Sequence, residues 1–190
     1  NKTGLNSQYL GILLKITGIA YLTEFGINMP ISFRGENLSL GEKQLISFAR
    51  NILDFFKSKN VKAVVIACNT SSALAYETIK NEYDFEIYPI IQACAKVIAG
   101  MGLNKIGVFA TQGTVNSGAY KSEILKHNPN IQVKEVACPN WVAIVEGVSN
   151  VDTAVDIKLQ MDEMLSFNPD KIVLGCRHYP FLLDHLSKNA

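Results

Sequence analysis

Short apolar runs rich in β-branched residues alternate along the chain with segments whose apolar residues recur at helical spacing. The runs occupy residues 61–67, 86–91, 105–110, 132–136 and 171–175. A strand that is buried on both faces of a parallel sheet appears as such a continuous run, whereas a half-exposed strand alternates. Strands that alternate with helices predict an α/β fold with mainly parallel sheets.

The helical spacing predicts six helices, at residues 40–59, 73–80, 93–101, 117–127, 141–148 and 153–166. In the first of them the spaced apolar residues are Leu45, Phe48, Ile52, Phe55 and Phe56. Residues 1–22 are ambiguous, with a possible helix at 9–16 and a possible short strand at 20–22. Residues 23–41 contain several glycines and a proline, and therefore predict a loop.

The break near residues 93–102 is the best domain boundary. We expect two similar α/β domains, residues 1–96 with Cys68 and residues 97–190 with Cys176. The two halves would face each other across a shared cleft that holds the active site.

Composition narrows the classes of function. The 190 residues are 48% hydrophobic and carry a net charge of +1, which gives no electrostatic argument for binding nucleic acid or a membrane. Four cysteines without a CxxC pair predict reduced thiols in a cytoplasmic protein, and disfavour a disulfide scaffold or a thiol oxidoreductase. The three histidines have no ligand spacing, so we expect no metal site.

Cysteines end two of the predicted strands. Cys68 follows the run 63–67 and precedes Asn69, Thr70 and a helix-like segment, and Cys176 follows the run 171–175 in a matching context. Ligand sites in α/β proteins lie where strand carboxyl ends meet helix N-termini, and the positive end of a helix favours a thiolate. Taken singly, each cysteine could be a core thiol, but the repeated context indicates a paired-thiol site.

The segments around these cysteines carry a resemblance to a known family. ACNTSSA at 67–73 and GCRHYP at 175–180 resemble the ACNT(A/S)SA and GCTHYP motifs of the aspartate/glutamate racemase family. The stretch from Gly107 to Tyr120 is similar to its TxxTxxSxxY segment, and Ala137–Pro139 with Glu146 is similar to its CP…VE segment. Four motifs in the family's order, between about residues 44 and 183, make the match specific.

The resemblance implies a cofactor-independent glutamate racemase that supplies D-glutamate for peptidoglycan. One thiolate would remove the Cα proton while a thiol on the opposite face returns one, which is general acid–base catalysis. The small-molecule substrate is then glutamate, no cofactor is needed, and the assembly stays open, with a homodimer considered. The implied catalytic residues are Cys68, Cys176, His178 and Glu146, and the implied substrate-binding residues are Asn69, Thr70, Thr111, Thr114 and Arg177.

Simpler roles exist for several of these residues. Asn69 and Thr70 could cap a helix, His178 could be a turn histidine, and Glu146 could be a solvated carboxylate instead of orienting His178. The remaining thiols, Cys94 and Cys138, are expected to be structural.

The sequence also departs from the family pattern. It holds no Asp-Ser-Gly, preserves no Pro-Tyr-Gly loop near residues 28–35, and has Arg177 where the glutamate racemases have threonine. It also stops soon after His178, so a fragment or a decayed copy is expected. The alternative function is therefore a catalytically impaired racemase-like chain that only binds a small carboxylate or a protein partner.

Overall fold

The computed structural model describes residues 40–189, so the predictions for residues 1–39 lie outside the described part. Five strands are present: β1 Ala63–Ile66, β2 Glu86–Pro89, β3 Lys105–Ala110, β4 Gln132–Ala137 and β5 Lys171–Gly175. Nine α-helices accompany them: α1 Leu40–Ser58, α2 Asn69–Leu74, α3 Tyr76–Ile79, α4 Ile90–Ala99, α5 Gln112–Ser117, α6 Ala119–His127, α7 Trp141–Val145, α8 Thr153–Ser166 and α9 Leu183–Ser187, with a 3₁₀ turn at Tyr179–Leu182 before α9. These counts refer to the described residues alone.

Two parallel sheets organise these elements. β1 pairs with β2, while β3 lies between β4 and β5 in the second sheet. The predicted α/β class with parallel sheets is therefore confirmed. The predicted division at residues 96/97 stays a prediction; it falls inside α4, whose buried residues pack with β3 and α6.

The central strand β3 is covered on both faces. Ile106, Val108 and Ala110 pack with α4 and α6 on one side, and Phe109 packs with Trp141 and α8 on the other. This double burial explains why the strand reads as an unbroken apolar run. β1 is different, since Val64 is buried and Val65 is 61% exposed.

The first helix has a different buried face from the one the spacing suggested. Ile46, Leu53 and Phe56 are buried in the core against β1, whereas Phe55 is 51% exposed. Adjacent phenylalanines differ by about 100° around a helix, so only one of the two can lie at the centre of the packed face.

A carboxylate fixes the start of the second sheet. Asp170 accepts hydrogen bonds from the backbone N–H groups of Asn104 (2.7 Å) and Lys105 (2.9 Å), and its own N–H donates to the Lys105 carbonyl (2.8 Å). These bonds hold the register of β5 on β3, in which Ile106 pairs with Lys171. The residue after β5, Cys176, takes its place from this register.

None of the helices described in residues 40–189 combines the length and the apolar character needed to cross a bilayer.

Candidate active site

Cys68 follows β1 and caps the helix after it. Its Sγ accepts the backbone N–H of Ser71 at 3.5 Å, and the cysteine has extended backbone angles. Asn69 and Thr70 are therefore the first two residues of α2 and do not cap it, contrary to one of the sequence alternatives. The helix also starts at Asn69, four residues before the predicted start, because the N-cap is the thiol itself.

Cys176 follows β5 and begins a chain of three side chains in contact, Cys176, His178 and Glu146. Its Sγ lies 3.5 Å from Nδ1 of His178, and Nε2 of His178 lies 2.9 Å from Oε1 of Glu146. A carboxylate accepts a proton, so Glu146 favours the tautomer with its hydrogen on Nε2 and leaves the Nδ1 lone pair facing the thiol; the tautomer is assigned from this partner. Glu146 thus contacts His178 as the resemblance implied.

Burial raises the pKa of the Cys176 thiol above its ordinary value. The backbone N–H groups of His178 and Tyr179 oppose this rise, as does the charge of Arg177, while the Cys68 thiolate adds to it. The balance keeps Cys176 protonated at neutral pH, which suits a proton donor.

Three threonine hydroxyls meet between the elements that follow β1 and β3. Oγ1 of Thr70 lies 2.9 Å from Oγ1 of Thr111, and Thr111 lies 3.0 Å from Oγ1 of Thr114. Thr111 is the N-cap of α5 and its hydroxyl accepts the Thr114 N–H. A bond of 3.4 Å from the Thr114 hydroxyl to Oγ1 of Thr70 closes the cluster, which joins the region of Cys68 to the second sheet.

Tyr120 is a residue whose role the sequence interpretation missed. Its hydroxyl donates to Oδ1 of Asn69 at 2.6 Å, and its side chain is 2% exposed. The available signal was its position as the last residue of the TxxTxxSxxY-like stretch, where it was used only for the resemblance.

Arg177 is half-buried beside Cys176, and its charge lowers the pKa of that thiol. Among residues 40–189, no carboxylate forms an ion pair with it.

The cavity beside Cys68 is small, and the described residues around it supply no set of metal ligands. A mostly apolar cavity of about 40 Å³ lies between α1 and β1, with Cys68 and Ser71 among its lining residues, and it is too small for an amino acid. In the described part of the chain, no group of three His, Cys, Asp or Glu side chains is placed to bind a metal ion.

The protein has an α/β fold in which a thiol follows a strand in each of two sheets, and one of these thiols contacts a histidine–carboxylate pair. Thiols, imidazole and carboxylate are all groups that can transfer protons, so the site defines a protein suited to acid–base chemistry. The Asp/Glu/Hydantoin racemase family matches residues 35–190, and the chain belongs to this family.

Relatives and solved structures of the family agree with this assignment. The chain is 37% identical over 143 residues to a glutamate racemase of Trichormus variabilis, covering 74% of this chain and 49% of the relative, and 38% identical over 144 residues to one of Lactococcus lactis subsp. cremoris, covering 74% and 52%. It therefore spans about half the length of these curated relatives.

Among solved structures, it is similar to the glutamate racemase of Francisella tularensis in complex with D-glutamate, with a TM-score of 0.67 and 31% identity over 83% of this chain and 60% of that one. It is also similar to a glutamate racemase isoform of Bacillus anthracis, with a TM-score of 0.70 and 26% identity over 82% and 60%.

Proposed function

We propose that the chain is a cofactor-independent glutamate racemase that interconverts L- and D-glutamate by two-base proton transfer. The observation that carries the proposal is the pair of thiols that follow strands of two sheets, Cys68 after β1 and Cys176 after β5, with Cys176 in contact with the His178–Glu146 pair. The glutamate racemase names of the relatives and the D-glutamate complex of the Francisella structure support the choice of substrate.

The chemistry balances without a redox partner. A thiolate on one face of the substrate takes the Cα proton and becomes a thiol, while the thiol on the opposite face gives its proton to the carbanion and becomes a thiolate. Cys176, whose burial favours the protonated form, is the donor in one direction. His178 then accepts or returns the proton of this thiol through Nδ1, and Glu146 keeps the histidine in the required tautomer.

The remaining site residues bind the substrate in this proposal. Thr70, Thr111 and Thr114 offer hydroxyl donors, Asn69 offers its amide, and Arg177 offers a guanidinium that forks onto a carboxylate. These donors suit the two carboxylates of glutamate.

The proposed setting follows from the same site. All four cysteines are free, which agrees with a reducing compartment, so we expect the protein to act in the cytoplasm, where D-glutamate feeds peptidoglycan synthesis. The assembly is open between a monomer and a homodimer, and light scattering after gel filtration would decide between them.

The decisive experiment follows the Cα proton of L-glutamate in D₂O by NMR, with circular dichroism for the change in handedness. We expect exchange and racemisation with the chain, and losses of at least about 10²-fold in Cys68→Ser and Cys176→Ser. Cys138→Ala is the control, because Cys138 is a fully buried thiol outside the site. Binding of glutamate without any exchange would instead support the alternative, a racemase-like carboxylate-binding protein.

A further inference from the structure

Tyr120 lies between the two segments that carry the thiols. Its ring packs against Gly175, where an added Cβ would come within 3.0 Å of the ring atom Cε2, and Gly175 directly precedes Cys176. Its hydroxyl reaches Asn69, which directly follows Cys68. One side chain therefore touches the neighbours of both thiols.

The hydrogen bonds of Tyr120 have a defined direction. The phenol has one hydrogen, and the bond to Oδ1 of Asn69 uses it, while the phenol oxygen can still accept. Burial raises the pKa of Tyr120, so the phenol keeps this hydrogen at neutral pH.

This direction decides what Asn69 can offer. An asparagine amide has an acceptor oxygen and an NH₂ donor, and the two exchange places when the group flips. Because Oδ1 is held by the phenol, the two N–H groups of Nδ2 remain, and in residues 40–189 they make no hydrogen bond that would occupy them. An amide fixed in this way presents donors alone, and donors suit a carboxylate.

We propose that Tyr120 is a positioning residue, whose hydroxyl orients the Asn69 amide toward a substrate carboxylate while its ring keeps the two thiol-bearing strand ends at a fixed separation. The proposal rests on the proposed function for the identity of the substrate.

The two parts of the role predict different kinetic effects. Tyr120→Phe keeps the ring and removes the hydroxyl, so the amide can flip and present its oxygen; we expect KM for glutamate and the Kd for D-glutamate to rise about tenfold, with kcat within twofold of the unmodified chain. Tyr120→Leu also removes the ring, so kcat should fall in addition.

A matched control separates the positioning role from a general loss of stability. Tyr179→Phe is the matched control, because Tyr179 is also a buried tyrosine, with its hydroxyl on the Cys138 carbonyl at 3.0 Å. It should lower stability about as much as Tyr120→Phe does, with no change in KM.

Turnover and binding are measured separately so that the two proposals can fail separately. If Tyr120→Phe racemises glutamate with unchanged KM and Kd, the positioning role alone is overturned. The same holds if KM and Kd rise as much in Tyr179→Phe as in Tyr120→Phe. Binding of D-glutamate that weakens in Tyr120→Phe, in a chain that does not racemise, would support the positioning role and overturn the proposed function. Failure of the unmodified chain to bind D-glutamate would overturn both.

Discussion

Arg177 is the residue at which the second thiol motif departs from the family pattern. Its guanidinium stays charged at any working pH, lowers the pKa of Cys176 and forms no ion pair with the described carboxylates. A charge in this place can bind a substrate carboxylate, but it also fills space that a threonine would leave open.

Replacing this residue separates the two effects. In Arg177→Thr we expect the pKa of Cys176 to rise and KM for glutamate to rise about tenfold, with equal or faster Cα exchange once substrate is saturating. The pH dependence of Cys176 alkylation and the steady-state constants measure these quantities. Arg177→Lys is the control, since it keeps the charge without the planar fork; unchanged constants in Arg177→Thr would make the arginine a spectator.

At the scale of single elements, the sequence predicts best where burial is simplest. The bounds of β3 and α8 agree with the prediction residue for residue, because β3 is buried on both faces and Asp152 caps α8 with bonds to the Ala154 and Val155 N–H groups. A double-sided strand and a side-chain cap are local signals, and the sequence contains both.

The site was predicted less completely, because its contacts join distant residues. The cysteine–polar pattern located Cys68 and Cys176, but no spacing could reveal that Tyr120 reaches Asn69, 51 positions away. The sequence offers Asn69 and Thr70 as possible caps of a helix, whereas the cap of α2 is Cys68, a residue type that is not among the common capping residues. The site assignments themselves stay predictions until the experiments above are done.

Gly175 is the last residue of β5 and allows this strand to lie close to β3. A Cβ there would meet the Phe109 carbonyl oxygen at 2.9 Å and Cγ1 of Val108 at 3.2 Å. We expect Gly175→Ala to lower the free energy of unfolding by about 1–3 kcal/mol, since backbone atoms cannot move aside easily. Urea denaturation measures this change.

Gly41 offers the opposite case on α1, because an added Cβ there meets no atom of the described residues within 4 Å. Gly41→Ala should raise the free energy of unfolding by about 0.5–1 kcal/mol through the lower entropy of the unfolded chain. Equal effects of the two substitutions would contradict the close approach of β5 to β3.

The whole molecule should lose stability at alkaline pH. Burial raises the pKa of Cys138, which in the unfolded chain would ionise near ~8.5. Because the pKa is higher in the folded state, the thiol contributes its full share to the free energy of unfolding at any pH below its unfolded-state pKa. As the pH rises from that value toward the folded-state pKa, this share is lost at about 1.4 kcal/mol per pH unit. Tyr120 and Tyr179, whose pKa values burial also raises, extend the loss above pH ~10.

The slope can be assigned to one thiol. Urea unfolding between pH 8 and 11 should show a fall in stability that is shallower by about 1.4 kcal/mol per pH unit in Cys138→Ala between pH 9 and 11. The unmodified chain and Cys138→Ala are measured in the same buffers. Only the slopes of unfolding free energy against pH are compared, so a constant loss of stability caused by the substitution does not affect the result. Parallel slopes would contradict the burial of an un-ionised thiol.

The pairing of β3 with β5 has a consequence for the order in which the molecule folds. Cys68 lies between β1 and α2, which are neighbours along the chain. Cys176 is positioned only when Lys171 pairs with Ile106 and Asp170 accepts the N–H groups at the start of β3. Closing so long a loop costs entropy before any contact compensates for it, so parallel pairings of this kind form slowly. The first thiol can therefore reach its local structure early in folding, and the second arrives with the late closure of the sheet, which makes completion of the site one of the last folding events.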